Sequence, residues 1–361
     1  MSDQDQTELL KSRLAEARSQ AEPVCIVGQQ SKSFYGNAQV GTPLSLAEHT
    51  GIINYEPTEL VLTARAGTSL ADIEKTLAAE GQSLAFDPPQ FGGRGTLGGA
   101  IASGLAGPGR PWLGGVRDMI LGVKILNGQA ELMRFGGEVM KNVAGYDVSR
   151  LMVGALGTLG VITEASVKVL PSAVSEATLV QTPDSDVDLH ALSEQLLRAG
   201  RPVTGLIHWD NRIYLRLAGT ESAVEAACQA LGGEQMSATE SRAFWTSIRD
   251  QSHPFYADTQ APLWRVSLPP KAPLTGFTGE CLVDWAGQQL WLKSDMSATA
   301  LRALAQEHGG SATLFRGHLD DCDAFQPLDA VQTRLHQRIK QSFDPEHILN
   351  PTRLYREMEA A

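Results

Sequence analysis

Apolar residues recur with helical spacing at Leu9, Leu10, Leu14 and Ala17, which predicts an amphipathic helix over residues 7–18. Ala21-Glu22-Pro23 ends it, since proline cannot continue the helix ladder. Val24-Cys25-Ile26-Val27, running into Gly28, and Leu60-Val61-Leu62-Thr63-Ala64 read as short buried strands. A second helix is predicted over about 70–80, with Thr68 or Ser69 as its cap, Asp72 in a capping-box pattern and Gly81 as its left-handed stop. Strand patterns follow at 119–126 and 131–135, then a loop and short helix through KNVAGYDVSRLMVGA. After Gly157-Thr158-Leu159-Gly160, the alternation in VITEASVKVL predicts a strand with one covered face, ended by Pro171.

Beyond residue 171 glycine thins out. Helical stretches at 186–199 and 221–231 alternate with strand-like GLIHW, RIYLRLA, LWRVSLP and QLWLK, the pattern of a separate α+β domain. Val331, Leu335 and Ile339 then mark a helix ending near Phe343, followed by the turn Asp344-Pro345 and the tail HILNPTRLY. The expected division is 1–171, 172–325 and 326–361, with the C-terminal segment packing back on the first domain. No internal repeat is visible.

With 361 residues, the chain is long enough for two domains. Its net charge of −11 argues against nucleic acid or an anionic lipid surface as the main partner. The N-terminus lacks an apolar signal core, and no segment approaches the ~18 apolar residues of a membrane span. The expectation is a cytoplasmic protein. Cys25, Cys228, Cys281 and Cys322 stand far apart, so no zinc ribbon or iron–sulfur cluster is predicted, and no metal site is expected.

Ten glycines fall between residues 92 and 115, and Gly93 to Gly98 matches G-x-G-x-x-G. A nicotinamide site needs a strand before that motif and a helix after it. Here Pro88-Pro89 precede it, and Asp118, at the spacing of a ribose acid, comes before a strand rather than ending one. Glycine backbone laid against a phosphorylated, planar ligand fits better, because it approaches closely and offers N–H donors. A loop whose glycines serve only tight turns remains open on the spacing alone.

The patches VGQQSKSFYG, GTSLADIEKTLAAEGQ, DPPQFGGRGTLGGAIASG, RDMILGVKILNGQAELMRFGG, KNVAGYD and GALGTLGVITEASVKVLP occur in one order over residues 24–171. Their order resembles the PCMH-type FAD-binding domain of the vanillyl-alcohol-oxidase family. More narrowly, GGEVMKNVAGYDVSRLMVGALGTLG and FDPEHILNP resemble the family of FAD-binding E subunits of bacterial glycolate oxidases, short relatives of the catalytic D subunits. The implied fold is α+β: an FAD domain of two α+β subdomains, a smaller α+β cap and a returning C-terminal segment.

The resemblance implies that Gly28, Gln29, Gln30, Ser31 and Lys32 surround the pyrophosphate, chiefly through backbone N–H groups. It places Pro88, Gly95, Thr96, Leu97, Gly98, Gly99 and Ser103 along the cofactor. Asn142, Gly145, Tyr146, Asp147, Gly154, Gly157, Thr158, Gly160 and Ile162 would line the ring and ribityl side, and Asn350 would close the site. The first loop holds no histidine, so the FAD is expected to be non-covalent.

The implied function is oxidation of glycolate to glyoxylate within a complex. Its partners would be the longer, catalytic FAD-containing D subunit and an iron–sulfur subunit, with any membrane contact indirect, at the inner face of the plasma membrane. Oxidising a 2-hydroxy acid also calls for a base and a carboxylate clamp. Arg265, Arg316 and Lys141 are the clamp candidates, since a guanidinium suits a carboxylate; no base is assigned. The histidine-rich metal motif of longer relatives is missing, and RGHLDD around His318 reads as a solvated turn. A non-catalytic scaffold subunit and a stand-alone flavin oxidoreductase on another 2-hydroxy acid are the alternatives.

Overall fold

The computed structural model describes residues 3–137, 147–184, 187–320 and 322–359. The chain divides into two units, one of Met1–Ala106, Gly114–Pro171 and Pro327–Ala361, the other of Gly107–Leu113 and Ser172–Gln326.

In the first unit, α1 (Thr7–Ser19) precedes the parallel strands β1 (Val24–Val27) and β2 (Thr42–Ser45). Then come β3 (Ile52–Glu56), β4 (Val61–Arg65), α2 (Leu70–Ala79), β5 (Gln82–Ser83) and α3 (Leu97–Ser103). After α4 (Arg110–Leu113) of the second unit follow α5 (Val116–Met119), β6 (Ile120–Leu126), β7 (Leu132–Gly136), α6 (Val148–Leu151), β8 (Val161–Lys168) and β9 (Leu170–Pro171).

The predicted cap of α2 is present: Ser69 Oγ accepts the Asp72 N–H at 3.0 Å, and Gly81 turns the chain with φ of 64°. Five strands form an antiparallel sheet in the order β3-β4-β8-β6-β7. The expected one-faced strand, β8, is instead central, and only Glu164 and Lys168 escape full burial. It pairs on both sides, and α3 lies against it.

The second unit contains β10 (Ser175–Gln181), α7 (Leu189–Arg198), β11 (Val203–Trp209), β12 (Arg212–Gly219), α8 (Glu221–Leu231), β13 (Glu234–Gln235) and α9 (Ala238–Arg249). It continues with β14 (Leu263–Ser267), β15 (Glu280–Asp284), β16 (Gln289–Lys293), α10 (Ala298–Glu307) and β17 (Ser311–Arg316). All eight strands join one antiparallel sheet, ordered β13-β10-β12-β11-β15-β16-β14-β17.

This order holds a repeat that the sequence does not show. The first four strands, with α7 and α8, make a ferredoxin-like βαββαβ motif in spatial order 4-1-3-2. The other four read 2-3-1-4 from the junction, with α10 before the last strand and no helix between the first two. The second strands of the two halves, β11 and β15, pair at His208 and Val283. Each half has its own apolar core, one around Leu206, Leu215 and Leu217, the other around Trp264, Leu292 and Leu301. The repetition is one of connectivity and burial, not of residue identity.

Helix α11 (Ala330–Phe343) belongs to the first unit, but its apolar stripe does not face the core: Val331 is 67% and Leu335 56% exposed. The fully buried side chain is Lys340. Its ammonium donates to Asp344 Oδ2 at 2.8 Å and to the carbonyls of Thr158 and Leu349 at 3.0 and 2.8 Å. A charge with three acceptors can be buried where an unpaired one cannot.

Candidate functional site

A hollow of the first unit lies where β1 runs into Gly28-Gln29-Gln30-Ser31-Lys32. Gln30 turns the chain there in the left-handed region, with φ of 56°. Among the described residues, the amide N–H groups of Gly28, Gln29, Gln30 and Ser31 donate to no acceptor. Four successive unclaimed donors make an anion-binding nest.

Arg353 holds this loop from the carbonyl side. Its guanidinium donates to Tyr35 O at 2.5 Å, Ser33 O at 2.9 Å and Asn37 O, while Asn37 N–H returns a bond to Arg353 O at 3.1 Å. Its side chain is buried, which draws the guanidinium pKa below its ordinary value. The spent carbonyls leave the preceding N–H groups as the loop's remaining polar capacity.

Asn350 closes the back of the hollow. Its Oδ1 accepts Ile26 N–H at 2.6 Å, its Nδ2 donates to Leu156 O at 2.6 Å, and its own N–H bonds Val24 O at 2.9 Å. Gly157, at φ of 75°, has no room for a side chain: a Cβ would stand 2.7 Å from Asn350 Nδ2.

On the opposite wall, Thr96 caps α3 by accepting Gly99 N–H at 3.2 Å. The N–H groups of Leu97 and Gly98 are already bound to Thr68 O and Ala66 O at 3.0 and 2.8 Å. The glycines of G-x-G-x-x-G therefore serve chain packing as well as the hollow. A Cβ on Gly98 would come 2.7 Å from Ala66 Cβ, and one on Gly95 2.7 Å from Leu70 Cδ1. No strand runs directly into the motif, since turn and coil separate it from β5, and Asp118 Oδ2 accepts Gly115 N–H at 2.8 Å to cap α5. The nicotinamide reading fails on both points.

The residues brought together around the hollow are Gly28, Gln29, Gln30, Ser31, Lys32, Thr96, Gly98, Gly99, Ser103, Gly157, Gly160, Ile162 and Asn350. Pro88, Gly95, Leu97, Gly154 and Thr158 do not line it, and Asp147 caps α6 at an exposed position. Lys141, Asn142, Gly145 and Tyr146 lie outside the described residues. Sequence reasoning missed Arg353 and Gln39, which line the hollow. Arg353 follows Asn350 closely in the tail, and that proximity was the available signal.

Of the clamp candidates, Arg316 Nη2 donates to Gln251 Oε1 at 2.7 Å, and Arg265 Nε to Gln289 Oε1 at 2.7 Å, both in the second unit. His318 and Asp320 are exposed and 3.7 Å apart, as in a solvated turn. Among the described residues no three His, Cys, Asp or Glu side chains gather as a metal site would require. No described helix is long and apolar enough to cross a membrane.

A model of the FAD binding domain family matches residues 5–136. The glycolate oxidase subunit GlcE of Escherichia coli (strain K12) is 44% identical over 354 residues, covering 98% of this chain and 99% of that protein. The chain belongs to the GlcE family. This GlcE-family chain is also 31% identical, over 156 residues, to glycolate oxidase subunit GlcD of Bacillus subtilis (strain 168), covering 43% of this chain and 31% of that one. D-2-hydroxyglutarate dehydrogenase of Xanthomonas citri pv. viticola is 33% identical over 147 residues, covering 40% of this chain and 30% of that protein. Among solved structures, alkyldihydroxyacetonephosphate synthase matches with a TM-score of 0.66 at 13% identity, covering 95% of this chain and 75% of that one. That likeness concerns the fold, which is of the PCMH FAD-binding type. The cofactor of this GlcE-family chain is FAD. The nest from Gly28 to Ser31 fits its pyrophosphate.

Proposed function

We propose that this chain is the FAD-binding subunit of a glycolate oxidase complex that oxidises glycolate to glyoxylate and passes electrons to an iron–sulfur partner. The observation that carries this reading is the 44% identity to GlcE across nearly the whole length of both chains. Bound FAD supplies a two-electron acceptor. The chain's own part is to hold it: the N–H groups of Gly28 to Ser31 receive the pyrophosphate, with Lys32 beside them. Thr96, Gly98, Gly99, Ser103, Gly157, Gly160 and Ile162 bound the groove, and Asn350 and Arg353 fix its walls. The residues predicted at 142, 145 and 146 complete the proposed set. No histidine stands among the described residues that line the hollow, which supports a non-covalently held cofactor.

One observation favours a second reading. Among the described residues lining the hollow there is no histidine and no carboxylate, so no group there suits the removal of a hydroxyl proton. The chain would then be a flavin-carrying scaffold, with oxidation in a longer GlcD-type partner. Anaerobic stopped-flow mixing with glycolate separates the two. Bleaching of this chain's flavin when it is alone supports catalysis here; bleaching only in the complex, assigned to the other flavin, supports the scaffold. A purified chain that takes up no FAD on supplementation sinks both.

A further inference from the structure

Helix α11 sits in the first unit with its polar side inward. Lys340 is wholly buried, the His336 ring packs edge-on against that of Tyr355 at 5.4 Å, and Gln337 Nε2 donates to Glu357 O at 2.8 Å. The opposite side carries Val331, Leu335 and Ile339, one turn apart; the first two are exposed and the third is half-buried. An amphipathic helix of a free-standing domain turns its apolar stripe to the core. Here the stripe faces solvent as a row about 12 Å long.

Arg334 and Arg338 run along one side of that row, three residues after Val331 and Leu335 and therefore beside them on the helix surface. Both are exposed, and among the described residues neither guanidinium makes a hydrogen bond or ion pair. The helix holds no acidic residue, and its third cation, Lys340, is engaged by Asp344. An apolar row edged by two unengaged guanidinium forks has the make-up of an interface, with carboxylates as the fitting counter-groups.

We infer that this face of α11 docks into an apolar groove edged by carboxylates on another protein subunit, which on the function proposed above is a partner in the glycolate oxidase complex. A second copy of the chain does not fit as occupant. Two α11 helices packed antiparallel about a two-fold axis would bring Arg334 and Arg338 of one copy against those of the other, and a parallel pair would set them against Gln332 and Ile339. Neither arrangement supplies an acid. An anionic lipid leaflet fits no better, because it repels a chain of net charge −11. A stable association buries about 800 Å² on each partner, more than one side of a helix about 21 Å long offers. The α11 face is therefore one part of a wider subunit contact.

The test co-expresses the tagged, full-length chain with the untagged GlcD-type and iron–sulfur subunits and measures how much of each is retained on the tag. Val331→Gln with Leu335→Gln, and Arg334→Glu with Arg338→Glu, are each expected to lower retention by about tenfold or more. Arg334→Lys with Arg338→Lys is expected to keep most of it, since the charge survives. Leu197→Gln, at an exposed apolar position of the second unit, is the control and should change nothing. FAD content and Tm of the isolated variants should match wild type, because the replaced side chains point to solvent. Retention of both subunits at the wild-type level by the Gln and Glu variants overturns the α11 assignment alone. A wild-type chain that loads FAD but retains neither subunit overturns the proposed complex and this docking face together. Two further results on the isolated chain replace the occupant and so overturn the inference: a dimer in light scattering that the Gln variant dissolves, or binding to phosphatidylglycerol vesicles that the Glu variant abolishes.

Discussion

Lys340 Nζ lies 2.8 Å from Asp344 Oδ2, one helical turn apart, with both side chains wholly buried. Asp344 also accepts the N–H groups of Ile348 and Leu349, at 3.2 and 2.8 Å, so the pair ties α11 to the tail carrying Asn350 and Arg353. Lys340→Met leaves a buried carboxylate without its cation and is expected to cost about 3–5 kcal/mol in urea unfolding. Lys340→Met combined with Asp344→Asn is expected to cost less than the sum of the single changes. Additive costs would show that the two side chains do not act as a pair.

Removing the Arg353 side chain strands the carbonyls of Ser33, Tyr35 and Asn37 without their donor. Arg353→Ala is expected to weaken FAD binding by about tenfold or more, read from flavin fluorescence during titration of the apoprotein. Arg353→Lys is expected to recover only part, because one ammonium cannot reproduce the spread of a guanidinium. Wild-type affinity in Arg353→Ala would show that the loop orders itself.

Gly157→Ala places a methyl group against Asn350 Nδ2 on a backbone with φ of 75°. Both effects oppose folding, and the expected loss is about 1–3 kcal/mol together with lower FAD retention through gel filtration. Gly92→Ala is the control: its φ of 79° is similar but nothing stands within 4 Å of the new methyl. It should show the backbone cost alone.

The stability of the protein should respond to pH through two buried groups of opposite sign. Burial pushes the Asp284 carboxyl up to about 7 from its ordinary 3.8. The unfolded chain therefore releases this proton first, and the stability that Asp284 contributes below about pH 4 is lost as pH rises toward 7. Asp284→Asn should flatten that part of the profile of Tm against pH. An unchanged slope would place the titrating group elsewhere.

His49 works the other way. Its Nδ1 accepts Gln6 N–H at 2.9 Å, so Nε2 carries the proton donated to Thr163 O at 3.0 Å. Burial lowers its pKa below the ordinary 6.5. The neutral form is the folded form, so its contribution is present above about pH 6.5 and declines as pH falls below it. His49→Gln should lessen the acid-side decline; a steeper decline would contradict the assignment.

Local signals carried the first half of the chain. The cap at Ser69 and the stop at Gly81 are contacts within one turn of helix, and they sit where the spacing put them. The cradle from Gly28 to Lys32 with Thr96, Gly98 and Gly157 was legible because glycine at such places marks a backbone requirement. What stayed hidden was long-range. Arg353 meets the Ser33 and Tyr35 carbonyls across more than three hundred residues, and no periodicity marks that meeting. The apolar pattern of α11 was misleading because Lys340, not Leu335, points inward once its three acceptors are in place. The doubled sheet was invisible because connectivity repeats while residues do not.

The first unit is built from stretches on either side of 172–326, and Asn350 and Arg353 hold the wall and loop begun at Val24. A ribosome must therefore emit the whole intervening unit before the pocket's keystones appear. Nascent chains halted before residue 353 would carry the glycine-rich half of the cradle yet fail to retain flavin, so loading falls at the end of synthesis.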